Sequence, residues 1–180
     1  YLRDGKIAIL KIRENSPSCD IFLDLKLHDI PATVKGACKS VADLNPKYLT
    51  VHASGGAEMI SQAAEILPNT LITAVTILTS LNESSLLEIG FRENPQQAAV
   101  ELASLAVSAG ARAIVCSPNE VASIRKAVGD NVVLITPGVR PLGSKTDDQQ
   151  RVATPNQALD NGADLLVIGR PITAAPVIEQ

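Results

Sequence analysis

Aromatic side chains are nearly absent: they make up 2% of the 180 residues, and there is no tryptophan. A core here must be aliphatic, built from Ala, Val, Ile and Leu, and the chain length suits one domain with a sizeable core. A surplus of positive charge is also lacking, since the formal net charge is −3. That leaves no electrostatic footprint for nucleic acid or an anionic membrane surface, although local Arg and Lys could still hold an anionic small molecule. No stretch approaches the roughly 18 consecutive apolar residues that a membrane helix requires. No signal peptide is visible. Cysteines number three, Cys19, Cys38 and Cys116, an odd count with no metal-type spacing. The expectation is reduced thiols in a cytoplasmic protein, with no bound metal and no cofactor.

What is present is a regular alternation. Short β-branched apolar runs at residues 21–25, 48–52, 71–77, 113–116, 132–136 and 164–168 read as buried strands. Between them, Ala-rich stretches at 32–44, 57–67, 95–109 and 119–128 carry helical periodicity. Pro31 and Pro118 sit where first-turn prolines are tolerated, and Gly110, Gly129 and Gly162 sit where helices stop. Strand alternating with helix predicts parallel strands joined by crossover helices in a single α/β domain, 1–180. About six strand–helix units are legible, and an open doubly wound sheet and a barrel both accommodate them. No strand is followed by the Rossmann glycine fingerprint, which weakens a dinucleotide-binding version of the open sheet.

Polar groups concentrate where strands end. The run from Ile21 enters four ionisable side chains, Asp24, Lys26, His28 and Asp29. Asp24 and Lys26 are two apart and share a strand face, while Leu23, Leu25 and Leu27 take the other. Asp29 has the opposite parity, so it leaves the strand line or serves a different site. A structural Asp–Lys ion pair at a strand end satisfies the bare spacing as well as a catalytic pair does. Arg140 and Arg170 each follow a strand, and Arg170 is preceded by Gly169, which allows close backbone approach. Residues 138–155 form a long polar loop of the kind that closes over a site or simply hangs free.

The full string Asp24-Leu-Lys-Leu-His-Asp-Ile-Pro-Ala-Thr-Val34 resembles the signature of the orotidine 5′-monophosphate decarboxylases, in the wording of their bacterial branch. The likeness continues through VHASGGAEM at 51–59, TILTS at 76–80, TPGVRPLGS at 136–144, DQQRVATP at 148–155 and VIGRPI at 167–172. The resemblance implies a (β/α)8 barrel of the phosphate-binding type and cofactor-free conversion of OMP to UMP and CO2. It implies that Lys26 protonates carbon 6 and that Asp24 is its charged neighbour. Asp29 would reach the partner's site in a homodimer, with Ile30 and Thr33 close by. Thr79 would contact the pyrimidine, and Arg140, Gln149, Gly169 and Arg170 the 5′-phosphate, with Gln149 carried on a closing lid. His28 is read as structural. The segment at 51–56 is read mainly as tight strand-to-helix geometry.

Against an eight-stranded barrel, the first two strands and the end of the last helix have no counterpart, and the chain begins at Tyr1 rather than Met. Residues 1–15 are expected to be the helix preceding the third barrel strand, and the 180 residues by themselves are expected to be poorly active. Two other functions share part of the pattern. Sugar-phosphate decarboxylases or aldolases of the same superfamily carry a similar Asp-x-Lys-x-x-Asp and use magnesium. A non-catalytic barrel serving assembly would need none of these charges.

Overall fold

The computed structural model describes residues 4–140, 153–169 and 172. Six strands, β1 (Phe22–Leu27), β2 (Tyr48–His52), β3 (Leu71–Val75), β4 (Ala113–Val115), β5 (Val133–Thr136) and β6 (Leu165–Leu166), form one sheet. Every pair is parallel and the spatial order is the chain order, β1 through β6. A doubly wound sheet must reverse its order at a switch point. These strands never do, so of the two architectures compatible with the alternation it is the barrel wall that forms.

The helices are α1 (Gly5–Asn15), α2 (Pro31–Val41), α3 (Ala57–Ile66), α4 (Glu83–Glu88), α5 (Pro95–Ser108), α6 (Val121–Val128) and α7 (Pro155–Asp160). Pro31, Pro95 and Pro155 each open a helix, where a missing N–H costs nothing. Gly110, Gly129 and Gly162 have φ of +100°, +78° and +101° and allow the chain to leave a helix. Between sheet and helices lies an aliphatic core. Leu49, Val51, Ile72, Ala74, Ile114 and Leu134 are buried on one face of the strands, among a cluster that includes Val34, Met59, Ile60 and Ile124. Burying a Leu or Ile side chain fully contributes roughly 1.5–3 kcal/mol, so this layer supplies the main stabilisation. The buried stripe of α5 is Ala98, Ala99, Ala103 and Ala106, small enough for close approach.

Several boundaries differ from the sequence reading. β1 starts one residue later and runs to Leu27, past Asp24 and Lys26. β3 stops at Val75, and Ile77, buried outside any strand, supplied the apolar signal that extended it. Pro118 lies in a turn ahead of α6 rather than in its first turn. Two six-residue helices were not anticipated. α4 is capped by Asn82, and α7 by a Thr154–Gln157 capping box. Among the described residues, no helix is long and apolar enough to cross a membrane.

Candidate active site

The site starts from an irregularity in β1. Leu23 pairs with Leu49, but the next aligned pair is Leu27 with Val51. Four residue steps on β1 thus face two on β2, a bulge of two extra residues that contains Asp24 and Lys26. Lys26 takes up the bend with φ of +49°, one of two positive-φ non-glycine residues among those described. A non-glycine residue in that region costs of order 1–3 kcal/mol and persists where its surroundings over-determine it.

Three polar groups hold it. The Lys26 backbone N–H, which has no ladder partner in the bulge, donates to Thr50 Oγ1 at 2.8 Å. The Thr50 hydroxyl donates to Asp24 Oδ1 at 2.8 Å. The Lys26 ammonium donates to Asp24 Oδ2 at 2.5 Å. Asp24 therefore has both oxygens engaged and cannot swing away from the ammonium without breaking a buried bond. Thr50 is 1% exposed, so water does not compete for it. The ion pair itself is half open, with side chains 44% and 46% exposed. At that exposure it is worth at most about 1 kcal/mol of stability, too little to offset the Lys26 backbone. Fold stability does not account for the pair, which leaves an accessible cation where the strands end.

Lys26 and Asp24 line a cavity of about 250 Å³ at the C-terminal ends of the strands, with Thr79, Val75, Cys116 and Val167 among its other walls. This is the end where barrels of this class carry their sites. Thr79 is half-buried in a turn beyond β3 rather than at the strand end. The Cys116 thiol is pushed up to about 12, chiefly by burial and then by the charge of Glu120. It stays protonated and is no nucleophile. Among the described residues, no group of three or more His, Cys, Asp or Glu could hold a metal ion.

Beside the cavity, the rings of His28 and His52 lie 5.3 Å apart. Burial first, then the charges of His28 and Lys26, hold His52 below the usual imidazole range, and Asp24 opposes them. A Cβ on Gly55 would collide with Met59 Sδ and crowd His28 Cδ2 at 3.1 Å. The clash falls on the flexible end of the buried Met59, so a side chain there would make Met59 repack, in keeping with the geometric reading of the 51–56 turn.

The other expected residues that are described do not line this cavity. β1 ends at Leu27, so Asp29 has left the strand line. It is exposed in the turn before α2, where its Oδ1 accepts the Ile30 N–H at 2.7 Å. Ile30 is 66% exposed, and Thr33 is exposed in the first turn of α2, with its N–H on the Ile30 carbonyl at 3.0 Å. Arg140 follows β5. Its backbone N–H donates to the Ala153 carbonyl at 3.0 Å and its Nη1 to the Val139 carbonyl at 2.8 Å. A parallel bridge between Val139 and Ala153 ties together the two ends of the expected lid. Gly169 is exposed beyond β6, and a Cβ there would meet nothing within 4 Å. Gln149, Arg170 and the lid segment 141–152 lie outside the described residues. The sequence reading missed Thr50. Its one signal was a hydroxyl between Leu49 and Val51 in an otherwise apolar strand, where a buried donor requires a partner.

Comparison with known proteins adds to this geometry. The model of the orotidine 5′-phosphate decarboxylase / HUMPS family matches residues 1–180. An orotidine 5′-phosphate decarboxylase of Thermobifida fusca (strain YX) is 58% identical over 176 residues, covering 98% of this chain and 75% of its own. One from Frankia casuarinae is 57% identical over 157 residues, covering 87% of this chain and 57% of its own. The crystal structure of orotidine 5′-phosphate decarboxylase from Lactobacillus acidophilus superposes with a TM-score of 0.82 at 36% identity, over 96% of this chain and 75% of that one. The chain thus spans three quarters of one curated relative and little more than half of another.

Proposed function

The chain belongs to the orotidine 5′-phosphate decarboxylase / HUMPS family, and on that premise we propose that the protein decarboxylates orotidine 5′-monophosphate to UMP in pyrimidine biosynthesis. The observation that carries the proposal is the Asp24–Thr50–Lys26 arrangement, which presents an accessible ammonium at the mouth of a cavity.

Loss of CO2 breaks the bond from carbon 6 and leaves its electron pair on that carbon, a localised carbanion with little resonance help. A fixed cation beside it stabilises the transition state more than the ground state. Lys26 is that cation. It then gives an N–H proton to carbon 6, and the neutral amine recovers a proton from water. Asp24 keeps the ammonium oriented through both steps. The Cys116 thiol, held protonated by burial, takes no part.

Asp29, Ile30 and Thr33 are exposed and off this cavity, which suits a second role: completing the site of another copy in a homodimer. Thr79 would contact the pyrimidine. Arg140, Gln149, Gly169 and Arg170 would take the 5′-phosphate, with the segment between the bridged Val139 and Ala153 closing over it. Cys19, Cys38 and Cys116 are all free, in keeping with a reducing, cytoplasmic setting.

The test is UMP formation from OMP by the purified full-length gene product, with and without excess EDTA. Activity should persist in the chelator. Lys26→Ala removes proton donor and cation together and should lower kcat/KM by roughly 10⁴-fold or more. No UMP from OMP, or activity lost in EDTA and restored by magnesium, would move the protein to the sugar-phosphate lyases.

A further inference from the structure

The geometry points to Thr50 as a positioning residue for decarboxylation: its buried hydroxyl fixes both the Asp24 carboxylate and the Lys26 backbone, and so aims the ammonium. The inference rests on the assignment of Lys26 as proton donor and goes beyond it, because Thr50 lies on a different strand, 24 residues from Lys26.

Thr50 is well placed to do this. β2 is paired on both sides, with β1 and β3, and Thr50 aligns with Thr73 in the undistorted β2–β3 ladder. It is flanked by the fully buried Leu49 and Val51, which pack its backbone in place. The β1 side is the opposite case. Between Leu23 and Leu27 the β1–β2 register breaks, and the Lys26 N–H depends on a side chain instead of a carbonyl. The Thr50 hydroxyl accepts that N–H through one lone pair and spends its only proton on Asp24 Oδ1. One buried atom therefore specifies the strained backbone from which the ammonium projects and the carboxylate on which it rests. A valine has the same shape and neither bond.

Thr50→Val and Thr50→Ser are compared with wild type by steady-state turnover of OMP and by inhibition with UMP. With a charge-assisted bond and the bulge contact both lost, kcat for Thr50→Val should fall about 10- to 100-fold. KM and UMP inhibition should stay near wild type, since the ammonium is misaimed but the nucleotide contacts are untouched. Thr50→Ser keeps the hydroxyl and should recover most of kcat. A merely structural threonine would lower the amount of folded enzyme, leaving kcat per folded molecule unchanged. Should the valine variant not fold, Thr50→Ala makes the same comparison with serine. The proposal fails if the folded hydroxyl-less variant keeps kcat within about threefold of wild type, since a lost charged bond costs more. It also fails if serine is as impaired as valine, or if neither hydroxyl-less variant folds. A full-length wild-type protein that forms no UMP overturns the decarboxylase assignment instead.

Discussion

Replacing Asp24 with asparagine separates what the charged pair does for the fold from what it does for chemistry. Two donors converge on Asp24, the Lys26 ammonium on Oδ2 at 2.5 Å and the Thr50 hydroxyl on Oδ1 at 2.8 Å. Asparagine has the same shape but offers one oxygen, and its amide nitrogen must face the other donor. The ammonium has no acceptor, so the oxygen stays with Lys26 and the amide turns to Thr50 Oγ1. That oxygen already accepts the Lys26 N–H and has one lone pair left. The exchange loses the charge and leaves the Thr50 hydroxyl proton without its Asp24 acceptor. Because both side chains are nearly half exposed, removing the Coulomb attraction should cost at most about 1 kcal/mol of stability, or about 2–4 °C in Tm. Catalysis should lose far more. An ammonium no longer held by a carboxylate loses a charge-assisted bond worth roughly 1.5–3 kcal/mol, which predicts a 10- to 100-fold lower kcat. The measurements are urea denaturation and OMP turnover on the same preparations. In a Lys26→Ala background the further loss from Asp24→Asn should be small, because the two residues act as a unit. A variant that keeps near wild-type kcat while losing more than about 3 kcal/mol of stability would make the pair structural and refute the reasoning.

Four further outcomes follow from the same geometry. Arg125 donates to the carbonyls of Gly129, Val132 and Gly162 and to Asp164 Oδ2 at 2.6 Å, so Arg125→Ala should cost about 2–4 kcal/mol in denaturation while kcat/KM of the folded enzyme is unchanged. His52 is held below its ordinary value of 6.5, so the unfolded chain binds its proton more readily than the folded one; stability should be full above about pH 6.5 and fall as pH drops towards the folded value, and His52→Gln should flatten that part of the Tm-versus-pH curve. Mixing Lys26→Ala with Asp29→Ala subunits should restore up to about a quarter of wild-type activity if sites are shared in a dimer, and none if exchanged subunits stay inactive. Arg170→Ala should lower kcat/KM for OMP about 10- to 100-fold yet leave the phosphate-free nucleoside nearly unaffected; equal loss on both would remove Arg170 from the phosphate.

How much of this was legible in the sequence depended on whether the physics was local. β2 was read at its observed bounds, because an apolar run flanked by polar turns is a local signal. The helix ahead of β1 and the four Ala-rich helices were also legible, to within a few terminal residues. α7 was overlooked although Thr154, Pro155 and Gln157 spell a capping box, because six residues give too little periodicity to register. In the site, Asp24 and Lys26 were legible as partners from their spacing. The bulge beneath them was not, since it is a mismatch of register between two strands and neither strand reveals it alone. Thr50 was missed for the same reason: a buried hydroxyl marks it, but its bonds to Asp24 and Lys26 exist only once β1 has slipped against β2.

The two ends of the sheet meet opposite demands. At the N-terminal end, arginines tie loop carbonyls together: Arg112 holds Pro68 and Thr70, and Arg125 joins the end of α6 to the entries of β5 and β6. Those bonds satisfy backbone acceptors that would otherwise compete for water, and they occupy both guanidinium groups. At the C-terminal end the arrangement is reversed. Lys26 is left half exposed, on a strained backbone, beside a cavity. A strained residue needs a rigid neighbour, and β1 cannot supply one, since its own ladder is interrupted there. β2 supplies it, because its register with β3 is unbroken and Leu49, Thr50 and Val51 are buried. On the proposed mechanism, Lys26 is aimed from the adjacent strand. It follows that substitutions which loosen β2 should reach the chemistry even where they touch no charged group, whereas substitutions in the arginine clamps should reach only the stability.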